Sequence, residues 1–211
     1  LNTASHVVAQ QEQTFNSQTF ASEHPDTSFF RDKDNRISRV YGKSFSHGES
    51  AIESADAFVQ QWSGIWGCKE SDFIPVGPWG DGHHLQPIMF NAQTGTYKFT
   101  GVGYTQTVSG IPVYESRLTV LVRNENNFPA VHVTANLYDL KNWSLPKTRP
   151  SKQRAAAAIT NQLGNQATMT EPLLVVFAGT TTTLRIPHLA YVVEASTGNK
   201  LNGTFAKWLY I

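Results

Sequence analysis

Apolar positions along the chain follow two spacings, and the changes between them divide it into segments. Over residues 51–66, Ile52, Ala55, Val59, Trp62 and Trp66 recur at three- and four-residue steps, the period of a helix with one buried stripe. Ser50 with Glu53 three positions on is a capping-box signature, and Gly67 stands where a left-handed residue closes a helix. From 97 to 140 the period becomes two, the alternation of strands. Tyr97 and Phe99 fall on one parity, Val102 and Tyr104 on the other. Gly101 and Gly103 lie at the change, which predicts a β-bulge there. Ser109-Gly110 marks a turn, and a second strand runs from Ile111 with Leu118, Val120 and Val122 on one face. The polar tract 124–127 marks the next turn, after which Val131, Val133, Ala135 and Leu137 line a third strand. Three strands joined by turns are an antiparallel meander.

The same grammar returns further on. Ser151 caps a helix through Leu163 that closes at Gly164, with Ala155, Ala158, Ile159 and Leu163 as its small apolar face. Lys152 and Arg154 sit in its first turn, where the helix dipole disfavours cations, at an expense of a few tenths of a kcal/mol. Strands are expected over 171–177, 189–193 and 205–211, with a turn at 196–198. Pro146 to Pro150 reads as a linker, the Pro/Gly-rich 75–82 as a loop, and 37–41 as a short strand. Residues 1–36 are polar and without sustained period, an extended or loosely packed lead-in pinned at Phe29-Phe30. The resulting expectation is an α+β fold of two units, each a helix packed on an antiparallel sheet. The divisions are an arm at 1–36, one unit at 37–145 and another at 146–211.

Composition narrows the function more than the fold. Of 211 residues 40% are hydrophobic, enough for a packed core, while only 16% are charged and the net charge is +1. Uncharged polar residues replace the missing charge, as on many extracellular surfaces. No clustered Lys and Arg face suggests a nucleic-acid partner, and no apolar run approaches the roughly 18 residues of a membrane span. Any targeting segment is expected upstream of Leu1. Cys68 is the single cysteine, so neither an internal disulfide nor a paired-cysteine zinc site is available.

Catalytic signatures are weak throughout. Ser63-Gly64 and Ser109-Gly110 lack the glycine two residues earlier that a nucleophile elbow needs. Cys68 follows a helix end, where no dipole lowers a thiol pKa. Asp81, His83 and His84 form one local cluster of metal-ligand types, without the His pair at i and i+4 of a zinc peptidase. His132 and His188 fall in strand contexts. Glu49, Glu53 and Asp56 crowd a helix start and read as capping and dipole residues. No catalytic, metal or cofactor role is assigned.

One segment carries a resemblance. Gln106-Thr-Val-Ser-Gly110-Ile-Pro112-Val-Tyr114, within the longer run 101–122, resembles the FTP domain found in propeptides of fungalysin- and thermolysin-like zinc metallopeptidases. The family's pattern is a Gln, a turn ending in Gly, an apolar residue, a Pro or small residue, Val and an aromatic. The helix over 51–66 is similar to the family's upstream helix. Residues 151–164 with 189–198 are similar to its PepSY-like half, so the resemblance covers 37 to the C-terminus. It implies two cystatin-like units: an FTP-like one at 37–145 and a PepSY-like one at 146–211. It also implies a secreted or cell-surface propeptide, acting as metallopeptidase inhibitor and intramolecular chaperone without catalysis of its own. The implied partner is a zinc metallopeptidase catalytic domain, in cis in a longer chain or in trans. Gln106, Gly110, Pro112 and Tyr114 are the implied partner-binding residues, with plain hairpin architecture as the other explanation of all four. The alternative function is a secreted module that binds a peptide, glycan or cell-wall ligand through the loop from Trp79 to His84. Asn142-Trp-Ser and Asn202-Gly-Thr are sequons that matter only in a eukaryotic secretory host.

Overall fold

A polar N-terminal segment with one phenylalanine in its middle is enough to make the first helix. In the computed structural model, which describes residues 16–77, 84–164, 167–180, 183–197 and 204–210, helix α1 covers 16–23. Phe20 at its centre is fully buried. Its ring lies 4.8 Å from Trp62, 5.3 Å from Phe45 and 5.8 Å from Phe29. Strand β1 (Ser28–Arg31) then pairs antiparallel with β2 (Ile37–Tyr41). The loosely packed lead-in expected for 1–36 is therefore corrected from residue 16 onward, residues 1–15 lying outside the described chain. A single aromatic anchor has no period to read, yet burying it stabilises by about 2–3 kcal/mol.

The chain divides into two units, one of 1–106 with 115–139, the other of 107–114 with 140–211. The first is built on α2 (Ala51–Trp62), β3 (Phe73–Ile74), β4 (Leu85–Asn91), β5 (Thr96–Val108, whose last two residues belong to the second unit), β7 (Arg117–Arg123) and β8 (Ala130–Asn136). Its strands run β1-β2-β8-β7-β5-β3, with β4 also on β5. Every one of these pairings is antiparallel, and β5, β7 and β8 form a meander. The second strand expected to run on from Ile111 is corrected: the chain leaves the strand at 113–116 and β7 starts only at Arg117. Helix α2 packs on β7 and β8, where Phe58, Leu118, Val120, Val122 and Val133 are all below 2% exposed.

Helix α2 differs from its prediction in two ways. The α-helix stops at Trp62 and one 3₁₀ turn carries the chain to Trp66, followed by Gly67 at φ 70. Ser63 and Gly64 are poor helix interior residues, so the last turn tightens there. The buried stripe is Ser54, Ala55, Phe58, Val59 and Trp62, whereas Ile52 is exposed. Ser54 is tolerated inside because its hydroxyl donates to the Phe128 carbonyl. Ser50 caps as predicted, its Oγ accepting the Glu53 N–H at 3.2 Å, but the Glu53 carboxylate accepts from Glu49 N–H.

The predicted bulge at Gly101–Gly103 is also corrected. Strand β5 keeps an unbroken register against β7 from Phe99↔Arg123 to Tyr104↔Leu118. Tyr97 is 43% exposed on the outer parity, so the apparent change of facing was an apolar outer surface. The irregularity sits instead in β8, where Leu121 pairs with His132 but Val122 with Ala130, leaving Val131 as the extra residue. It lets Ala130 and Val133 both join the core despite opposite parities.

The second unit comprises β6 (Ile111–Pro112), α3 (Lys152–Leu163), β9 (Thr168–Met169), β10 (Leu173–Gly179), β11 (Leu184–Thr197) and β12 (Thr204–Tyr210). The sheet runs β10-β11-β12 with β9 on β11, all antiparallel. Helix α3 is capped as predicted: Ser151 Oγ accepts the Arg154 N–H at 3.3 Å, and Gly164 ends it at φ 83. It packs on β11, with Ile159, Val193 and Ala195 buried together. The turn expected at 196–198 is corrected in part, since Ser196 and Thr197 continue β11 and pair with Phe205 and Thr204, while Gly198 and Ile211 lie outside the described residues. The chain thus has mixed helix and mostly antiparallel sheet.

Candidate functional site

The motif 106–114 folds as a hairpin. Thr107 pairs with Pro112 and Val108 with Ile111, and Ser109 at φ 50 and Gly110 at φ 79 hold both central turn positions left-handed. That is the geometry of a type I′ turn, whose twist matches its strands and whose second position suits glycine. Both turn residues are exposed.

Gln106 stands just before this hairpin tip, in the first unit, and is 4% exposed. Its Nε2 donates to the Tyr138 carbonyl and its Oε1 accepts the Tyr138 N–H, both at 2.9 Å. Its own N–H donates to Ser116 Oγ at 3.0 Å. Gly110, Pro112 and Tyr114 belong to the second unit. Tyr114 N–H donates to the Val176 carbonyl at 2.8 Å, and its ring lies 5.9 Å from that of Phe177. Pro112 is half-buried in β6, where its missing N–H leaves no ladder bond unmade on a two-residue strand. The side chains of Gln106 and Tyr114 therefore meet different surroundings, and Gly110 alone of the four is fully presented to solvent.

An apolar surface that the sequence reading passed over lies on β4 and β5. Leu85, Met89, Phe90 and Tyr97 are 43%, 58%, 59% and 43% exposed, and the Phe90 and Tyr97 rings meet edge-on at 5.2 Å. The signal was present in the chain: two runs rich in apolar residues flank Asn91–Gly95, where Gly95 N–H donates to the Asn91 carbonyl at 2.9 Å. Phe90 and Tyr97 share one face of the β4–β5 pair, whereas Leu85, paired with the buried Val102, stands on the other. An exposed aromatic pair is the kind of surface that meets other molecules. Strand β4 is also irregular. Met89 sits at φ 60, and the ladder passes from Ile88↔Phe99 to Phe90↔Tyr97 without it.

Polar chemistry is dispersed. Asp81 and His83 lie outside the described residues, as does the loop from Trp79 apart from His84. His84 Nδ1 bonds the Gly103 carbonyl, and its ring meets Tyr104 edge-on at 5.0 Å. Tyr104 donates to Asp56 Oδ1 at 2.6 Å, and burial followed by that bond pushes its phenol far above the usual range. His132 is held below its ordinary value, first by burial and then by Arg39. His188 Nδ1 bonds the Ile186 carbonyl at 2.9 Å. Cys68 is half-buried, and Gln106 Nε2 lies 3.8 Å from its sulfur. Glu49 and Glu53 bond to each other at the start of α2 as expected, whereas Asp56, read with them as a capping or dipole residue, accepts the Tyr104 hydroxyl instead. Among the described residues no three His, Cys, Asp or Glu side chains gather closely enough to hold a metal ion. No helix among them is long and apolar enough to cross a membrane. Compared with known proteins, the chain matches no family model and no curated protein.

Proposed function

We propose that this chain is a propeptide-like module that docks on a thermolysin- or fungalysin-type zinc metallopeptidase, inhibits it and assists its folding. The observation that carries the reading is the motif Gln106–Tyr114, which resembles the FTP pattern and folds as a tight, paired hairpin. The exposed aromatic pair Phe90 and Tyr97, its rings 5.2 Å apart, supports it from a second direction, as a surface suited to another protein. A docking module works by presenting a preformed surface, so rigidity at the hairpin matters more than any reactive group. In this reading the two units are cystatin-like. Helix α2 lies on β7 and β8 in an FTP-like unit, and α3 on β11 in a PepSY-like one. Gly110 is the motif residue most available to a partner, while Gln106 and Tyr114 hold the hairpin in place. The compartment is secreted or cell-surface, and the peptidase is met in cis or in trans.

The test is to add the purified chain to peptidases of both types, follow cleavage of a fluorogenic peptide, and measure recovery of the denatured enzymes on dilution. Saturable inhibition or faster recovery with either type supports the proposal. Neither effect with both types overturns it.

A further inference from the structure

The longest irregular stretch among the described residues runs from 137 to 151, where no residue belongs to a helix or strand. Its centre is exposed: Ser144, Pro146, Lys147, Thr148 and Arg149 all face solvent. Among the described residues no hydrogen bond or ion pair ties residues 144–150, whereas the loop 42–50 is pinned to its neighbours. There Gly42 N–H donates to the Val131 carbonyl, Phe45 N–H to Ala130 and Gly48 N–H to Asn127, at 3.0, 2.8 and 3.1 Å. A peptidase must draw several residues of its substrate into an extended form, and exposed backbone without partners yields most readily.

We propose that Lys147–Thr148 is a processing site for a trypsin-like serine peptidase, and that cutting it gives a nicked two-chain form, not two separate halves. Lysine supplies the side chain such an enzyme selects, and threonine follows it. Arg149 is exposed as well, but Pro150 behind it makes that bond a poor substrate. Lys141 sits in a turn closed by Trp143 N–H to the Leu140 carbonyl at 3.0 Å, which holds its backbone away from the extended form. In the reaction water adds across the peptide bond. Its oxygen joins the Lys147 carbonyl carbon, the C–N bond breaks, and Thr148 leaves as a free amine.

The two-chain product follows from the path of the chain. Residues 107–114 precede the cut but belong to the second unit. Val113 is 1% exposed and bridges Val176, and Tyr114 N–H donates to the Val176 carbonyl at 2.8 Å. The fragment 1–147 therefore stays woven into the unit that holds 148–211. This inference stands on the linker and the chain path alone, independent of the docking proposed above.

Limited digestion of the whole chain with trypsin tests it, read by intact mass, by denaturing electrophoresis and by native size exclusion. The first products are expected to be 1–147 and 148–211, separate under denaturant and co-eluting as one species without it. Lys147→Gln is expected to slow cutting within the described residues about tenfold, since the remaining lysine and arginine bonds there need prior local opening. A first cut elsewhere, or an unchanged rate in K147Q, overturns the site. Fragments that part on the native column overturn the two-chain form.

Discussion

Gln106 and Tyr138 are paired as two strand residues are, although only Tyr138 contributes its backbone. The Gln106 side-chain amide gives and takes one hydrogen bond each with the Tyr138 main chain, both at 2.9 Å. A carboxamide copies the donor and acceptor of a peptide group, so it closes the segment just past β8 onto β5 without a further strand.

Removing that amide should be among the most damaging single changes in the first unit. Gln106→Leu keeps much of the volume but removes both hydrogen bonds that the side-chain amide makes to the Tyr138 main chain, at an expected loss of about 2–4 kcal/mol. Gln106→Glu keeps one acceptor and loses the donor, so it should be at least as harmful. Urea unfolding of both variants checks this, and a loss within about 0.5 kcal/mol would remove the structural role.

The turn should respond differently. A Cβ on Gly110 would meet no heavy atom within 4 Å, so the effect of Gly110→Ala is confined to the backbone at φ 79. The expected loss is about 1 kcal/mol, and Gly110→Asn should lose less because asparagine tolerates the left-handed region. Thermal melts of the two variants distinguish them.

Phe20→Ala tests the packing of helix α1. A fully buried aromatic at the centre of five rings predicts a loss of about 3–5 kcal/mol. Were 16–23 a loose lead-in after all, chemical denaturation would show almost no change.

Alkaline pH should weaken the fold through Tyr104. Burial, and then the hydrogen bond to Asp56, raise its phenol above the ordinary 10.0. The folded chain thus keeps a proton that the unfolded chain releases. Stability from this group is complete below pH 10 and declines above it, by about 1.4 kcal/mol per pH unit. Tyr104→Phe should flatten that decline between pH 10 and 11 relative to the parent. Equal slopes in the two proteins would show that Tyr104 is not the group responsible.

What could be read in advance was local. Helix α3 was legible because Ser151 and Gly164 announce its ends, and the meander because its turns and alternation agree. Helix α1 was not, since its whole case is Phe20. The Gly101–Gly103 bulge was misplaced because parity reports burial, and an apolar outer surface imitates a change of facing. At the hairpin, Ser109-Gly110 disclosed the turn, but the role of Gln106 depends on a residue 32 positions away. Strand β4 was missed although its turn residues were in plain view.

Strand β4 has one more consequence. The Gly103 N–H donates to the His84 carbonyl, so the backbone of β4 alternates between facing β5 and facing away, and Pro87, three residues on, turns its main chain to the outer edge, where it has no N–H to give. Met89, two residues further, bends out of the extended form. A strand arriving along this margin finds no continuous row of donors and acceptors, so the chain can keep a sticky surface without templating the stacked ribbons from which fibrils grow.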